Sequence, residues 1–309
     1  MRCSEGSCRR CAVRVPPARA NTGTGRHGCR KGSAMKTFRG KTAVVTGAGS
    51  GIGRALALEL AQAGATVLIT DLVPERVDRV VSELRGKGAD AAGWRVDHAR
   101  REEVEAFAAQ VREERGGVDV LCLNAGVGHG ARVETTAMED WEWLIGVNLW
   151  GAVYMVHAFV PWMIRRQRGW ILITASGLGL VPAPGMAPYV TSKYAMVGLG
   201  ESLRTELAAH NITVSVLCPG IINTNIVEDG RIRIRDRAGE SAKSKVARFY
   251  ATRGADPARV ARDGLRALAR DVGIVPTPFH ARPLYMLHRL SPGLYHGLAR
   301  LIWKKGWLV

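Results

Sequence analysis

The sequence predicts a single α/β domain with a doubly wound parallel sheet, followed by a helical C-terminal extension. Short apolar, β-branched segments alternate regularly with segments of helical periodicity. The predicted strands are apolar throughout, as expected for a sheet that is covered by helices on both faces. The 309 residues, 47% of them hydrophobic, suffice for a large core. No eighteen apolar residues follow one another without interruption, so we expect no membrane-spanning helix.

The predicted elements follow one another from Met35 onward. The strands are "KTAVVTG", "ATVLITD", "AAGWRVD", "VDVLCLNAG", "GWILITAS" and "ITVSVLCPG". The helices between them are "GIGRALALELAQAGA", "PERVDRVVSELRGKG", "REEVEAFAAQVREER", a long helix from about Glu139 to Arg166, and a helix that contains Tyr189. We place this domain at residues 35–276.

The net charge of +17 is unevenly distributed along the chain. Residues 1–34 carry eight Lys/Arg and one acid, residues 35–226 are balanced, and residues 227–309 carry seventeen Lys/Arg and seven acids. A nucleic-acid-binding domain normally concentrates positive charge on the folded domain itself. The neutral middle therefore argues against a nucleic-acid partner.

Residues 1–34 contain four cysteines, many arginines and no apolar periodicity. We interpret them as a disordered basic extension or a start codon assigned too early, with an organelle transit peptide as a further alternative. Their one C-x-x-C, Cys8 and Cys11, has no second pair, so we expect no metal site. Cys122 and Cys218 lie within predicted strands, where cysteine acts as a small apolar residue.

The first β-α turn, "TGAGSGIG", is rich in glycine. In doubly wound sheets, ligands bind beyond the carboxyl ends of the strands, where the N–H groups of the first helix can bind phosphate. Gly47, Gly51 and Gly53 permit a tight turn and a close approach of the backbone to a pyrophosphate. The pattern also fits an ordinary turn, but its place between a strand and a helix favours a Rossmann-type dinucleotide site.

The second strand ends at Asp71, eighteen residues after Gly53. A carboxylate there accepts hydrogen bonds from the adenosine ribose and repels a 2'-phosphate. Neither Ser50 nor Leu72 supplies a compensating positive charge. The sequence therefore predicts NAD rather than NADP, although Asp71 could instead cap the helix that begins after it.

Taken together, these features resemble the short-chain dehydrogenase/reductase family over about residues 38–275. The motifs that carry the resemblance are "TGAGSGIG", "NAG" at 124–126, Asn148 in "GVNLWG", Ser176 in "ITASG", "YVTSK" at 189–193, and "PGIINT" at 219–224. Ser176 precedes Tyr189 by thirteen residues, which is the spacing of the family. The resemblance implies an enzyme that transfers a hydride between NAD and a secondary alcohol or ketone.

The resemblance also implies roles for four catalytic residues. Tyr189 would exchange the proton of the substrate alcohol as general base or acid, and Ser176 would hold the substrate oxygen. Lys193, one helical turn from Tyr189, would stabilise the phenolate and lower its pKa from about 10 toward neutrality. Asn148 would anchor a water that connects the lysine to solvent. Capping and packing roles for Ser176 and Asn148 are the alternative.

The same resemblance implies a set of residues that contact the cofactor. Asp97 would meet the adenine, residues 124–126 would line the cleft, and residues 219–224 would meet the nicotinamide. The complete expected set is Gly47, Ser50, Gly51, Ile52, Gly53, Asp71, Asp97, Asn124, Ala125, Gly126, Tyr189, Lys193, Pro219, Gly220, Ile222 and Thr224.

The substrate is less well specified than the cofactor. We expect a lipophilic alcohol or ketone, sterol-like or fatty, with a ketone reductase or a nonenzymatic NAD-binding module as alternatives. The segment "NIVEDGRIRIRDRAGESAKSKVARFYATRG" would cover the substrate, and its arginines would either meet an acidic group or face solvent. Reduced thiols and a nucleotide cofactor favour the cytoplasm, and the family resemblance implies a homodimer or homotetramer.

Residues 277–309 extend beyond the usual end of the family. They predict two short amphipathic helices split by Ser291, Pro292 and Gly293. Trp303, Lys304, Lys305 and Trp307 are typical of a helix that lies at a membrane surface. Packing of this tail on the domain or on a neighbouring subunit is the alternative to peripheral membrane contact.

Overall fold

The computed structural model describes residues 34–233, 243–278 and 282–304. Its strands are β1 (Thr42–Thr46), β2 (Thr66–Asp71), β3 (Ala91–Arg95), β4 (Val120–Leu123), β5 (His129–Gly130), β6 (Gly169–Thr174), β7 (Ile212–Pro219), β8 (Arg231–Ile232) and β9 (Ile274–Thr277). Seven of them form one parallel sheet in the order β3-β2-β1-β4-β6-β7-β9. The chain winds outward from β1 in both directions, so the topological switch point lies between β1 and β4.

Helices cover both faces of this sheet. They are α1 (Gly51–Gln62), α2 (Pro74–Gly86), α3 (Arg101–Arg115), α4 (Met138–Ile145), α5 (Gly151–Arg166), α6 (Ala187–Leu207), α7 (Lys243–Arg253), α8 (Pro257–Ala269), α9 (Arg282–Leu290) and α10 (Pro292–Lys304). Helices α1, α2 and α8 contribute to the core on one face, and α3, α5 and α6 to the core on the other. The predicted doubly wound fold is confirmed.

Strand β1 shows why the predicted strands are apolar throughout. Ala43 and Val45 are fully buried in the core on the α1 side, whereas Val44 is fully buried in the core on the α5 side. Successive side chains of a strand point to opposite faces, and here neither face meets water. The apolar runs in the sequence therefore identify the strands of this sheet.

The long predicted helix is continuous from Met138 to Arg166, and residues Gly146–Trp150 form a π-helical turn within it. By length and composition alone this helix could cross a membrane. Its Met155, Phe159 and Met163 side chains are nevertheless fully buried in the core beside the sheet. This burial is the arrangement of a core helix in a globular domain.

The sequence prediction missed the last strand and the helix before it. Strand β9 has only four residues, and one of them is Pro276. It lies at the edge of the sheet, where a residue without an N–H is tolerated. Helix α8 begins after Asp256, whose side chain accepts a hydrogen bond from Ala258 N at 2.9 Å.

The helical C-terminal region is confirmed as α9 and α10. Only Ser291 separates them, because Pro292 begins α10 at a position where a proline is favourable. The interpretations of residues 1–34 fall almost entirely outside the described residues, and those on Lys305 and Trp307 lie outside them as well. The domain limits at 35, 276 and 277 stay predictions.

Candidate active site

A cavity of about 710 Å³ opens at the carboxyl ends of the central strands. Segments that follow β1, β2, β4, β6 and β7 line it, as expected for a ligand site at the switch point. Among the expected cofactor residues, those on the cavity wall are Gly47, Ser50, Gly51, Ile52, Asp71, Asp97, Asn124, Ala125, Gly126, Tyr189, Lys193, Pro219, Gly220, Ile222 and Thr224. The sequence motifs thus converge on one cleft.

The glycine turn packs closely against neighbouring segments because its residues lack side chains. Gly47 and Gly51 have φ angles of 60° and 52°, in the left-handed region that favours glycine. A Cβ on Gly47 would lie 2.7 Å from the Cα of Ala125, and one on Gly51 would lie 2.9 Å from Cγ2 of Thr224. The turn is thus held against the segments after β4 and β7.

Gly53 has a different role from the one expected. It does not line the cavity, and a Cβ there would lie 2.1 Å from the carbonyl oxygen of Gly47. Gly53 therefore allows α1 to pack closely on the turn, and its assignment as a cofactor contact is not supported by this geometry.

Asn124 connects this turn to β4. Its side-chain amide donates to the carbonyl oxygens of Thr46 at 3.1 Å and Gly47 at 3.2 Å. The Thr46 hydroxyl accepts hydrogen bonds from the N–H groups of Asn124 and Ala125, both at 2.9 Å. The "NAG" motif therefore fixes the floor of the cleft through its own hydrogen bonds.

Asp71 lies at the end of β2 and is only 8% exposed. Its Oδ2 accepts a hydrogen bond from Gly49 N at 2.9 Å, and its Oδ1 accepts one from Val73 N at 3.1 Å. Both proposed roles are compatible with this geometry, because the carboxylate orders the start of α2 and faces the cavity. Asp97, at the end of the next strand, similarly accepts from Ala99 N at 3.0 Å and lines the cavity.

Arg76 is a residue of this region that sequence reasoning missed. Its guanidinium lines the cavity and makes two hydrogen bonds, of 2.7 and 2.8 Å, to the carboxylate of Asp229. Arg76 belongs to α2 and Asp229 to the segment expected to cover the substrate, so this ion pair joins the two ends of the cleft. Neither Ser50 nor Leu72 carries a positive charge, but Arg76 brings one close to Asp71 in the folded chain.

Tyr189 and Lys193 lie one turn apart on α6, and Ser176 follows β6. All three line the cavity and are at most 8% exposed. Lys193 Nζ donates a hydrogen bond to the carbonyl oxygen of Thr174 at 3.3 Å and lies 5.6 Å from the centre of the Tyr189 ring. The side chains expected to carry the chemistry are thus brought together on one wall.

Burial controls the protonation of this wall. It raises the pKa of Tyr189 above its ordinary value, and hydrogen bonding with the Ser176 hydroxyl opposes this shift. Burial lowers the pKa of Lys193 from 10.5 to about 8. The expected lowering of the Tyr189 pKa by Lys193 is therefore not found in this structure, because desolvation of the phenolate outweighs the influence of its neighbours.

Asn148 lies within the π-helical turn and is 1% exposed. Its Oδ1 accepts a hydrogen bond from Val127 N at 2.7 Å, and its Nδ2 donates to Val127 O and to the hydroxyl of Ser192, both at 3.1 Å. Ser192 in turn donates to Tyr189 O at 2.8 Å. Asn148 does not line the cavity, and its side chain connects the loop after β4 to the helix that carries Tyr189.

Apolar and aromatic side chains outside the cofactor motifs also line the cavity. Its wall includes Trp143, Val147, Tyr250, Leu284 and Tyr285, which belong to α4, the π turn, α7 and α9. Tyr250 and the two residues of α9 lie beyond the recognised motifs. No signal in the sequence indicated that the C-terminal helices would reach the cleft.

Two arginines of the covering segment contact an internal carboxylate rather than a ligand. Asp140 is 1% exposed, and Arg231 and Arg233 lie 3.0 and 2.9 Å from its oxygens. The Arg231 guanidinium also stacks over the Trp143 ring at 4.1 Å. Because β8 pairs with β5 beside this cluster, both arginines anchor the covering segment. The suggestion that they meet an acidic substrate is not supported.

The comparison with known families agrees with this geometry. Residues 41–233 match the model of the short chain dehydrogenase family. The chain is a short-chain dehydrogenase/reductase. The parallel sheet described above is the Rossmann-type fold of this family.

Three known members of the family illustrate the similarity. The probable oxidoreductase EphD of Mycobacterium tuberculosis is 33% identical over 261 residues, which are 83% of this chain but only 44% of EphD. The 3-oxoacyl-[acyl-carrier-protein] reductase FabG of Thermotoga maritima is 34% identical over 209 residues, 68% of this chain and 83% of FabG. A short-chain dehydrogenase/reductase from Burkholderia phymatum, solved in complex with NAD, has a TM-score of 0.78 at 32% identity and covers 83% of this chain and 95% of its own.

The cleft of this short-chain dehydrogenase/reductase fits a dinucleotide. Gly47 lines the cavity together with Gly51 and Ile52 of the first turn of α1, and the N–H groups of the first turn of a helix can bind phosphate. At the other end of the cleft, a Cβ on Gly126 would lie 3.4 Å from Lys193 Nζ. Among the described residues, no group of three His, Cys, Asp or Glu side chains could hold a metal ion.

Proposed function

We propose that this chain is an NAD-dependent dehydrogenase/reductase that interconverts a lipophilic secondary alcohol and its ketone. The observation that carries the proposal is the arrangement of one cavity. The glycine turn and Asp71 line it, as do Ser176, Tyr189 and Lys193 and a set of apolar side chains. The first group suits the dinucleotide, the second suits the reacting alcohol or ketone group, and the third suits the apolar remainder of the substrate.

The cofactor supplies a nicotinamide ring that accepts or donates the hydride. The residues of the chain handle the proton and the geometry. Tyr189 takes the hydroxyl proton during oxidation and returns it to the carbonyl oxygen during reduction, while Ser176 donates a hydrogen bond to that oxygen. Burial keeps the Tyr189 phenol protonated, and the Lys193 charge, 5.6 Å from the ring centre, would partly offset the cost of forming the phenolate as the proton is transferred.

Two carboxylates support a preference for NAD over NADP. Asp71 would repel a 2'-phosphate at the end of β2. Arg76 could neutralise such a phosphate only by releasing Asp229, with which it forms a partly buried bidentate pair. NAD makes no such demand, so both carboxylates favour the cofactor without the phosphate.

The substrate class is inferred from the apolar side chains that line the cleft. Trp143, Val147, Leu284 and Tyr285 offer a long apolar surface, which suits a fatty or sterol-like substrate better than a sugar. The name of the FabG relative describes reduction of a 3-oxoacyl group, and it favours the reductive direction as the second candidate. A nonenzymatic NAD-binding module is the remaining alternative, and the complete set of catalytic side chains argues against it.

A panel of secondary alcohols and ketones of increasing chain length, followed by NADH absorbance, tests the reaction and its direction. We expect turnover with lipophilic members and a higher KM for polar ones.

Tyr189→Phe should lower kcat about a hundredfold or more while NAD binding changes little, because only the phenolic oxygen is lost. Tyr194→Phe is the matched control, since Tyr194 lies on the same helix and is not on the cavity wall. Normal turnover by Tyr189→Phe would assign the proton transfer to another group. The cytoplasmic location and the homo-oligomeric state stay predictions.

A further inference from the structure

The two C-terminal helices carry an exposed apolar stripe that the proposed reaction does not use. The stripe consists of Met286, Leu290, Leu294, Leu298 and Leu301, which are 44% to 77% exposed. Met286 and Leu290 are four residues apart on α9, and Leu294, Leu298 and Leu301 share one face of α10. The stripe therefore consists of one exposed apolar face on each of the two helices.

The helices are fixed to the domain through other side chains. Tyr295 is 7% exposed, and its hydroxyl donates a hydrogen bond to the carbonyl oxygen of Pro182, in the loop before α6. The His288 ring lies 4.9 Å from the Tyr295 ring, and Tyr285 packs against the core. Because these residues already attach the helices, the stripe is available for a different contact.

The charge of this region indicates the chemistry of that contact. Residues 277–309 contain five Lys/Arg and no Asp or Glu. Arg289 and Arg300 are exposed on the described helices. An apolar face accompanied by cations and free of acids is complementary to an anionic lipid surface. A second copy of the same face would bring like charges together, which opposes self-association.

We propose that the apolar stripe docks this protein on the surface of an anionic lipid bilayer. Leu284 and Tyr285 of α9 line the cleft, so the docked surface lies beside the mouth of the substrate cavity. A lipophilic substrate could then pass between the bilayer and the cleft over an apolar path. This last step rests on the proposed function, whereas the docking itself does not.

Co-sedimentation with vesicles tests the docking on the full chain. The vesicles consist of phosphatidylcholine alone or of phosphatidylcholine mixed with phosphatidylserine. We expect binding to the mixed vesicles, weaker binding to the neutral ones, and weakening by added salt. The combined change L290S/L294S/L298S should lower the partition coefficient by about tenfold or more. The control V133S/M138S, at two equally exposed apolar positions outside the stripe, should bind as the wild type does.

Arg300→Glu provides a second test, because it leaves the stripe intact. It should lower binding to the mixed vesicles by about threefold or more and leave binding to neutral vesicles unchanged. All variants should keep the melting temperature and the turnover of a water-soluble alcohol. Absent vesicle binding by the wild type, unchanged binding by the stripe variant, a lower melting temperature or a smaller oligomer in that variant would each overturn the proposal. Vesicle binding without any turnover would contradict the proposed function and leave the docking intact.

Discussion

Replacing Lys193 by methionine should stabilise the protein at neutral pH while removing its activity. The Lys193 ammonium is buried and donates a hydrogen bond to the Thr174 carbonyl oxygen, and burial lowers its pKa from 10.5 to about 8. A shift of this size corresponds to about 3 kcal/mol of unfavourable free energy in the folded state at pH 7. Lys193→Met removes this cost and loses about 1 kcal/mol for the hydrogen bond, so we expect a net gain of about 2 kcal/mol.

The sign of the pH dependence follows from the same values. Between pH 8 and 10.5 the unfolded chain binds a proton on Lys193 that the folded chain has released, so the Lys193 contribution to stability rises with pH. The advantage of Lys193→Met should therefore be about 2 kcal/mol smaller at pH 9.5 than at pH 7. Burial also raises the pKa of Cys122 and Cys218 to about 12, which lowers the stability of every variant above about pH 9. The effect of these cysteines is common to the wild type and Lys193→Met, so it cancels in the difference between their free energies of unfolding.

The assay is denaturant unfolding of the wild type, Lys193→Met and Tyr189→Phe at pH 7 and pH 9.5. Tyr189→Phe is the matched control, because it removes the oxygen that we propose transfers the proton and retains the buried ammonium. It should lose activity without gaining the pH-dependent advantage of Lys193→Met. A difference in unfolding free energy that is the same at both pH values would refute the reasoning, because it would show that Lys193 holds no depressed pKa in the folded state.

Two further predictions concern the cofactor and acid stability. Asp71→Ala combined with Leu72→Arg should shift kcat/KM toward NADP by about tenfold or more, since it removes the repulsion and adds a cation; steady-state kinetics with both cofactors decide this, and a wild type that prefers NADP would count against the role of Asp71. His98 is buried with a pKa lowered to about 4 and a contact of 2.9 Å to the Thr70 hydroxyl. The unfolded chain therefore binds a proton more readily than the folded one between pH 6.5 and 4, and stability decreases as the pH is lowered through that window. Between pH 7 and pH 5 the His98→Gln variant should lose about 2 kcal/mol less free energy of unfolding than the wild type. Urea unfolding at both pH values measures this, and an equal loss in the two proteins would contradict the prediction.

Much of the fold could be predicted because the core strands have no polar face. Six of the seven sheet strands are recognisable as apolar runs, since each, like β1 with Ala43, Val44 and Val45, contributes to a core on both sides. Strand β9 was missed because four residues with a proline give no such run. Strands β5 and β8 have two residues each, and a length of two carries no periodicity.

The site could be predicted where its residues are close in sequence or fixed by short motifs. Tyr189 and Lys193 share one turn of α6, so their proximity follows from helix geometry. The pKa of Tyr189 could not be predicted in this way, because it depends on how completely the surrounding segments exclude water. Gly53 belongs to the glycine motif and was predicted to contact the cofactor. In the structure it allows α1 to pack closely on the turn, and only its neighbours in the motif line the cavity.

The ion pair between Arg76 and Asp229 shows what local patterns cannot contain. The two residues are 153 positions apart, and each alone is typical of a solvated surface charge. Once folded, α2 brings Arg76 within reach of both Asp71 and the segment that covers the substrate. A carboxylate at the end of β2 would normally decide the choice of cofactor alone. Here the choice also depends on whether the covering segment keeps Asp229 on Arg76, so changes in that distant segment should alter cofactor preference without touching the glycine turn.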